Sequence, residues 1–325
     1  MSITEDRRGG EPAVDDHPYV VLRVAVGRVQ RLSSNFVRVT LVGDRLADFG
    51  NPGATFDQRV KLIFPPASGV LPEVGGGADW YREWLAIGET ERGSMRTYSV
   101  RDIRLDADGR TAVDVDFVLH LVPGKTGPAS SWAAAAAVGD ELIVVGPRRG
   151  RHDGGGVEYL PGSARQVLLA GDETAAPAIA RILADAPPEL CGVAYIEIPQ
   201  ADDAQRIDGP EGVAVHWLPR DGAAHGERLH PAVLGHLGEA GASIGDDLDG
   251  MIDAPGDELV WETPTFSRLG EDLDGAVSAA AYYFWIAGES RMVTTLRRRL
   301  VKDLGIPRAQ VAFMGYWREG VAMKG

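Results

Sequence analysis

A chain of 325 residues with 44% apolar and 25% charged side chains is long enough for two domains, each with its own core. Its formal net charge of −14 argues against general binding to nucleic acid or to an anionic membrane surface. The single cysteine, Cys191, excludes a disulfide scaffold and a cysteine-based metal site, and no run approaches the ~20 apolar residues needed to span a bilayer.

Taken in chain order, residues 1–17 lack the apolar core of a signal peptide; their charge, Gly and Pro predict a disordered tail. Six segments follow: YVVLRVAVGRVQRL, NFVRVTLVG, RVKLIFP, RTYSVRDI, TAVDVDFVLHL and DELIVVGP. They are rich in Val, Ile and aromatics and are separated by Gly, Pro and Asp, which predicts a closed antiparallel barrel over residues 18–160. One helix is expected among them, GPASSWAAAAAV at 127–138.

After GPRRGRHDGGG the pattern changes. RQVLLAG (165–171) is an unbroken apolar run ending in Gly, as a strand buried on both faces would be. APAIARILADA has helical spacing, and CGVAYIEIP, VAVHWLP, AYYFWIAG, SRMVTTLRRRLVKDLG and QVAFMGYW continue the alternation. That pattern predicts a parallel sheet with helices on both faces, over residues 161–325. Residues 222–277 are acidic, Gly-rich and the least regular, with a helix expected near 229–239 and an extended or loop stretch through VWETPTF.

Several short stretches carry chemistry. In MRTYSVRD (95–102) strand alternation points Arg96 and Tyr98 one way and Thr97 and Ser99 the other. A cation, a flat ring and two hydroxyls suit a ligand that is flat and phosphorylated. GPASSWA puts Gly127, Pro128, Ala129 and Ser130 at a helix start, either a site for an anion or an ordinary capped helix, with DFVLH (116–120) just upstream. In GDETAAPAIARIL (171–183) a buried strand enters a turn and a helix, so Thr174 and the turn's N–H groups can meet a phosphate or a nicotinamide. No G-x-G-x-x-G is present. WIAGES (285–290) repeats the strand–Gly–helix arrangement, as a second strand lining one crevice would. MGYWREG (314–320) is either a ligand-facing end or a terminal strand docking its aromatics on the core. Basic clusters stand at Arg59/Lys61, Arg148/Arg149/Arg151 and Arg297/Arg298/Arg299, the last read as a solvated helix face. No His or carboxylate cluster has metal-ligand spacing, so no metal site is expected.

Together and in this order, RVKLIFP, RTYSVRD, DFVLH, GPASSWA, GPRRG, GDETAAPAI, WIAGES and GYWREG resemble the siderophore-interacting proteins, flavin-dependent ferric-siderophore reductases of the ferredoxin-reductase superfamily. The resemblance implies an antiparallel β-barrel that binds FAD, followed by an α/β domain with a parallel sheet that binds NADPH or NADH. It implies that Arg96 pairs with the FAD pyrophosphate, that Tyr98 packs on the flavin, and that Thr97 and Ser99 hydrogen-bond it or its ribityl chain. Asp116, Val118, Leu119 and His120 would border the cofactor, and Gly127, Ala129 and Ser130 would cradle its phosphates. Asp172, Thr174 and Ala175 would face the nicotinamide, while Trp317 and Arg318 would close the flavin pocket.

Lys61 and Arg148 match basic positions that receive the ferric siderophore, with Arg149 or Arg151 as substitutes for Arg148. A cytoplasmic monomer without stable membrane insertion is expected. A general NAD(P)H-dependent flavin reductase and a non-enzymatic siderophore binder are the rival functions. The chain departs from the family pattern in a longer hairpin, RDIRLDADGRTA, in an inserted PGK (123–125), and in the length and acidity of 222–277. These departures bear on pocket size and siderophore choice rather than on the flavin site.

Overall fold

The computed structural model describes residues 17–121, 126–238, 259–264, 266–267 and 280–321; residues 1–16 of the expected N-terminal tail, the PGK insertion and most of 239–279 lie outside them. Period-two alternation of β-branched residues builds the first sheet from β1 (Tyr19–Arg31), β2 (Phe36–Val42), β3 (Arg59–Phe64), β4 (Ser94–Ser99), β5 (Asp102–Leu105), β6 (Thr111–Val118) and β7 (Glu141–Pro147). They are antiparallel neighbours in the order β4-β3-β7-β1-β2-β6-β5.

The two edge strands are consecutive in the chain. Between them the Val100 N–H donates to the Gln58 carbonyl (2.8 Å) and the Arg101 N–H to the Asp114 carbonyl (2.9 Å). One bent segment, RTYSVRDI, therefore serves both edges and curls the sheet into a half-barrel; β4 pairs only with β3 and β5 only with β6 among the described residues, so the expected closure of the barrel is not seen. Six expected segments thus become seven strands.

Alternation sorts the faces. Val60, Leu62 and Phe64 of β3 join the interior core with Val39, Leu41, Val115 and Phe117, while Ile63 and Met95 belong to a smaller outer cluster around Trp84. That outer cluster is covered by a helix that no sequence pattern announces, α1 (Trp80–Ala86), in the long β3–β4 connection. It is only seven residues long and has no side-chain N-cap, so it carries no start signal. Burial of Trp84, whose Nε1 donates to the Arg92 carbonyl (2.9 Å), holds it in place. The expected helix, α2 (Pro128–Ala135), plugs one end of the barrel: Ala129 and Ala133 are buried, and Trp132 packs on Phe64 and Phe117.

The second sheet follows the predicted alternation: β8 (Gln166–Gly171), α3 (Ala176–Asp185), β9 (Cys191–Ile198), β10 (Val213–Pro219), α4 (Leu229–His236), β11 (Trp261–Thr263), β12 (Phe266–Ser267), β13 (Tyr282–Glu289), α5 (Ser290–Arg297) and β14 (Val311–Trp317). The strand order is β10-β9-β8-β13-β14-β11-β12; β8, β9, β10, β13 and β14 run parallel, with β11 added antiparallel to β14 and β12 antiparallel to β11. Helix α3 covers one face, α4 and α5 the other. The strand order reverses direction between β8 and β13, and such a switch point is where open α/β sheets bind ligands. Arg297, expected to be solvated, instead pairs with the buried Glu262 (2.6 Å). Among the described residues no helix is long and apolar enough to cross a membrane.

Polar contacts fix one domain to the other. Asp203 accepts from Ser33 Oγ (2.6 Å) and Asn35 Nδ2 (2.8 Å), and Arg181 pairs with Asp102. Asp57 is fully buried and accepts from the Trp285 indole (3.0 Å) and from the N–H groups of Glu158 and Tyr159 in the interdomain connection. Burial pushes its carboxyl up, and those donors oppose the rise. Asp57→Ala should cost about 2–3 kcal/mol, because it strands buried donors without an acceptor. Urea unfolding should show a lower midpoint; an unchanged midpoint would mean these bonds contribute nothing net.

Candidate functional site

The first half of the site lies where β4, the end of β6 and α2 meet. Arg96 is half-buried, and its Nη1 donates to its neighbour's carbonyl, Met95 O (2.7 Å); among the described residues no carboxylate pairs with it. Burial pulls its pKa down, so the protein leaves this cation uncompensated. Tyr98 shares its face and lies against Phe117 (4.5 Å between ring centres), and burial pushes its hydroxyl well up. On the other face Thr97 accepts from Lys61 Nζ (2.7 Å), and Ser99 is buried.

Within Asp116–His120 the side chains go to different places. Asp116 is held by Arg38 through two bonds (2.6 and 2.8 Å), with Arg101 at 3.8 Å. Val118 enters the core shared with the second domain, and Leu119 enters the barrel core. His120 points to the domain junction. Ser130 binds this stretch to α2: its Oγ donates to the Val118 carbonyl (3.1 Å) and accepts from the His120 N–H (3.4 Å). Helix α2 has no side-chain N-cap at Gly127, so the first-turn N–H groups of Ala129 and Ser130 lack an intrahelical acceptor.

The second half is the carboxyl edge of β8, β13 and β14. The strands approach so closely that only glycine fits: a Cβ on Gly171 would meet Ala287 O at 2.6 Å, and one on Gly288 (φ 141°) would meet the Asp172 carboxyl carbon at 2.7 Å. Asp172 is fully buried and accepts from the N–H and Oγ1 of Thr174, the Glu289 N–H (2.7 Å) and the Trp317 indole (2.9 Å). Burial and the adjacent Glu173 push its pKa up to about 6. Thr174 thus turns back onto Asp172, and Ala175 is buried at the start of α3. Arg318 is half-buried just beyond Trp317.

Glu173 joins the halves. Arg220 grips its carboxylate with two bonds (2.6 and 2.9 Å), His225 Nε2 lies 3.4 Å from Oε1, and His120 Nε2 reaches the same oxygen from the first domain at 3.0 Å. Burial opposes its charge, yet these donors hold it well below the usual carboxylate range. The Trp317 ring sits 5.1 Å from the His120 ring and 4.9 Å from the His225 ring.

Asp172, Glu173 and His225 each bring an atom capable of metal binding within 4.8 Å of one another, a cluster that spacing in the sequence did not suggest. Its oxygens are already taken by N–H and O–H donors and by a guanidinium, which is an ion-pair knot rather than a cation cage. Sequence reasoning missed Glu173, Arg220 and His225 as a unit. Arg220 and His225 stand 47 and 52 positions from Glu173, and nothing local marks them.

The other basic candidates have partners. Arg148 Nε donates to His17 O (2.7 Å), Arg149 to the carbonyls of Gly50 and Phe49 and to Thr111 Oγ1, and Arg151 to Asp153. Arg149 is thereby a brace for the loop after β2 and β7. The uncompensated Arg96, the uncapped start of α2 and the aromatic Tyr98 together fit FAD, which carries a diphosphate and a flat ring system.

Comparison with known proteins agrees. A family model described as "Siderophore-interacting FAD-binding domain" matches residues 25–151, and one described as "Siderophore-interacting protein" matches 164–320. The chain is 27% identical over 294 residues to the ferric vibriobactin reductase ViuB of Vibrio cholerae, covering 90% of this chain and 88% of that one. It is 26% identical to the NADPH-dependent ferric-chelate reductase of Escherichia coli, over 90% and 91% of the two chains. The crystal structure of a siderophore utilization protein from T. fusca is 30% identical, covers 94% of this chain and 95% of its own, and superposes with a TM-score of 0.65. Sequence and fold thus agree that the chain belongs to the siderophore-interacting protein family, with an FAD-binding barrel followed by an α/β domain.

Proposed function

We propose that this protein is an FAD-dependent reductase that uses NADPH or NADH to reduce the Fe(III) of a siderophore and release Fe(II) for iron assimilation. The contact between His120 and Glu173 carries the reading (3.0 Å). It sets the end of the barrel strand beside the switch point of the second sheet, so a group held by one domain faces a group held by the other. Two relatives bear the names of ferric reductases, which supports iron as the acceptor.

Siderophores hold Fe(III) with hard oxygen donors; Fe(II) is held less tightly, so one electron releases the metal. FAD, when bound, takes two electrons together from the nicotinamide and passes them on singly. The chain supplies binding and orientation. Arg96 and the N–H groups opening α2 hold the diphosphate, and Tyr98 supports the flat ring system. Thr97 and Ser99 offer hydroxyls along its edge, and the Asp116–His120 backbone borders it. Thr174 with its turn receives the nicotinamide end of the donor, and Trp317 with Arg318 closes the pocket. Lys61 and Arg148 draw the chelate toward it against the net charge of −14. The single cysteine, exposed as Cys191, supports a reducing compartment such as the cytoplasm, and a monomer is the proposed state.

Arg96→Ala should weaken FAD binding by about 1.5–3 kcal/mol, roughly tenfold to a hundredfold in Kd. Quenching of flavin fluorescence during titration of apoprotein measures this; an unchanged Kd would make Arg96 a surface strand residue.

The reaction itself is tested by anaerobic turnover with NADPH and with NADH. A ferric siderophore should be reduced faster than soluble dyes or oxygen. Equal or faster turnover of the dyes would instead indicate a general flavin reductase. The Lys61→Ala/Arg148→Ala double variant should raise KM for an anionic ferric siderophore at low salt, and the gap should close as salt shortens the screening length to about 8 Å. An unchanged KM at low salt would place capture elsewhere.

A further inference from the structure

Glu173 has more partners than its charge requires. The two bonds from Arg220 already neutralise one carboxylate, yet imidazoles from both domains also converge on Oε1. A carboxylate held ionised only accepts hydrogen bonds, so Nε2 of each ring carries its hydrogen and points at Glu173. Each Nδ1 is then the atom left to gain or lose a proton. Both rings share one oxygen, Oε1 of Glu173.

The proposed reaction leaves one proton over. A hydride brings two electrons and two ferric centres take one each, so NAD(P)H + 2 Fe(III) gives NAD(P)+ + 2 Fe(II) + H+. On the proposed function that proton is released beside the end of the barrel strand, and His120 stands there at the domain junction. We propose that His120 and His225, set by Glu173 as a positioning residue, form a one-proton store that takes up this proton at an imidazole Nδ1 as electrons leave for iron. The inference rests on the reductase reading and adds to it a role for the His120 side chain and for His225, which lies outside the motifs.

The surroundings suit the role. His225 faces Glu173, Arg220 and Asp172; burial opposes its charge, but Glu173 prevails and moves its pKa above the ordinary histidine value. His120 faces Glu173 and the Trp317 ring. Glu197 stands 3.6 Å behind Arg220 and accepts from the N–H groups of Gly226, Arg228 and Leu229, which fixes the loop that carries His225. Glu289 is occupied in capping α5.

The test follows reoxidation of FAD-loaded, photoreduced protein by ferric citrate in stopped flow, from about pH 5.5 to 9, alongside NMR titration of the imidazole resonances without iron. In the wild type the rate should fall about tenfold per pH unit below an inflection that matches the His225 titration, because a ring already protonated takes up no proton. His225→Gln and His120→Gln keep a hydrogen bond to Glu173 without a titrating atom, and each should shift or abolish the inflection. Glu173→Gln should lower the His225 midpoint in the NMR titration by about one pH unit. It also strands Arg220, so the two histidine variants decide the question if it fails to fold. A wild-type inflection retained in both histidine variants, or a wild type with no inflection, would overturn the store and leave the rings as interdomain ties. Failure of the wild type to reduce ferric citrate at all would overturn the reductase reading itself, which the NMR titration does not depend on.

Discussion

The buried carboxylate of Glu173 is the point on which the two domains agree. It sits at the carboxyl end of β8, where a parallel sheet offers a ligand its switch point, and it is bonded from the barrel by His120. Alone it would be an untenable buried charge; with Arg220 and the two imidazoles it becomes a fixed node. Asp172 beside it pins the Trp317 indole, and the Trp317 ring lies against both histidines. The junction is therefore tied by buried polar bonds in the place where the proposed function sets a donor and an acceptor of electrons face to face.

The two halves of the site treat charge in opposite ways. On the barrel side Arg96 is half-buried with no carboxylate paired to it among the described residues, and α2 begins uncapped, so positive potential is left over for a phosphorylated ligand. On the other side the carboxylates are satisfied by protein donors, which keeps their charge from repelling a dinucleotide or an anionic chelate. In a protein with a net charge of −14 this division leaves local cations to attract an anionic ligand against the overall charge.

Much of this was legible in the sequence because it is periodic. Alternating Val37, Val39 and Leu41 in FVRVTLV and the unbroken run QVLLAG announce a half-buried and a fully buried strand, and α3 after the second carries apolar spacing. Motifs whose parts are adjacent, such as R-T-Y-S and G-D-E-T, could be read as units. What could not be read depends on distance in the chain. Arg220 and His225 meet Glu173 only through the fold, and Asp57 meets Trp285 across 228 positions. Arg149, read as a possible substrate cation, is drawn into the loop carbonyls by contacts that no local pattern records. Helix α1 is too short and too weakly capped to declare itself; its tryptophan packing makes it.

The central claim is that a two-electron donor and a one-electron metal acceptor meet at this junction through one bound flavin. The most direct measurement is a single turnover: FAD-loaded protein reduced anaerobically with one equivalent of NADPH, freed of excess donor, then mixed with a ferric siderophore and an Fe(II)-specific chelating dye. The account predicts two Fe(II) per flavin, formed as the oxidised flavin spectrum returns. Flavin that stays reduced in the presence of the ferric siderophore, with no Fe(II) trapped, would contradict it.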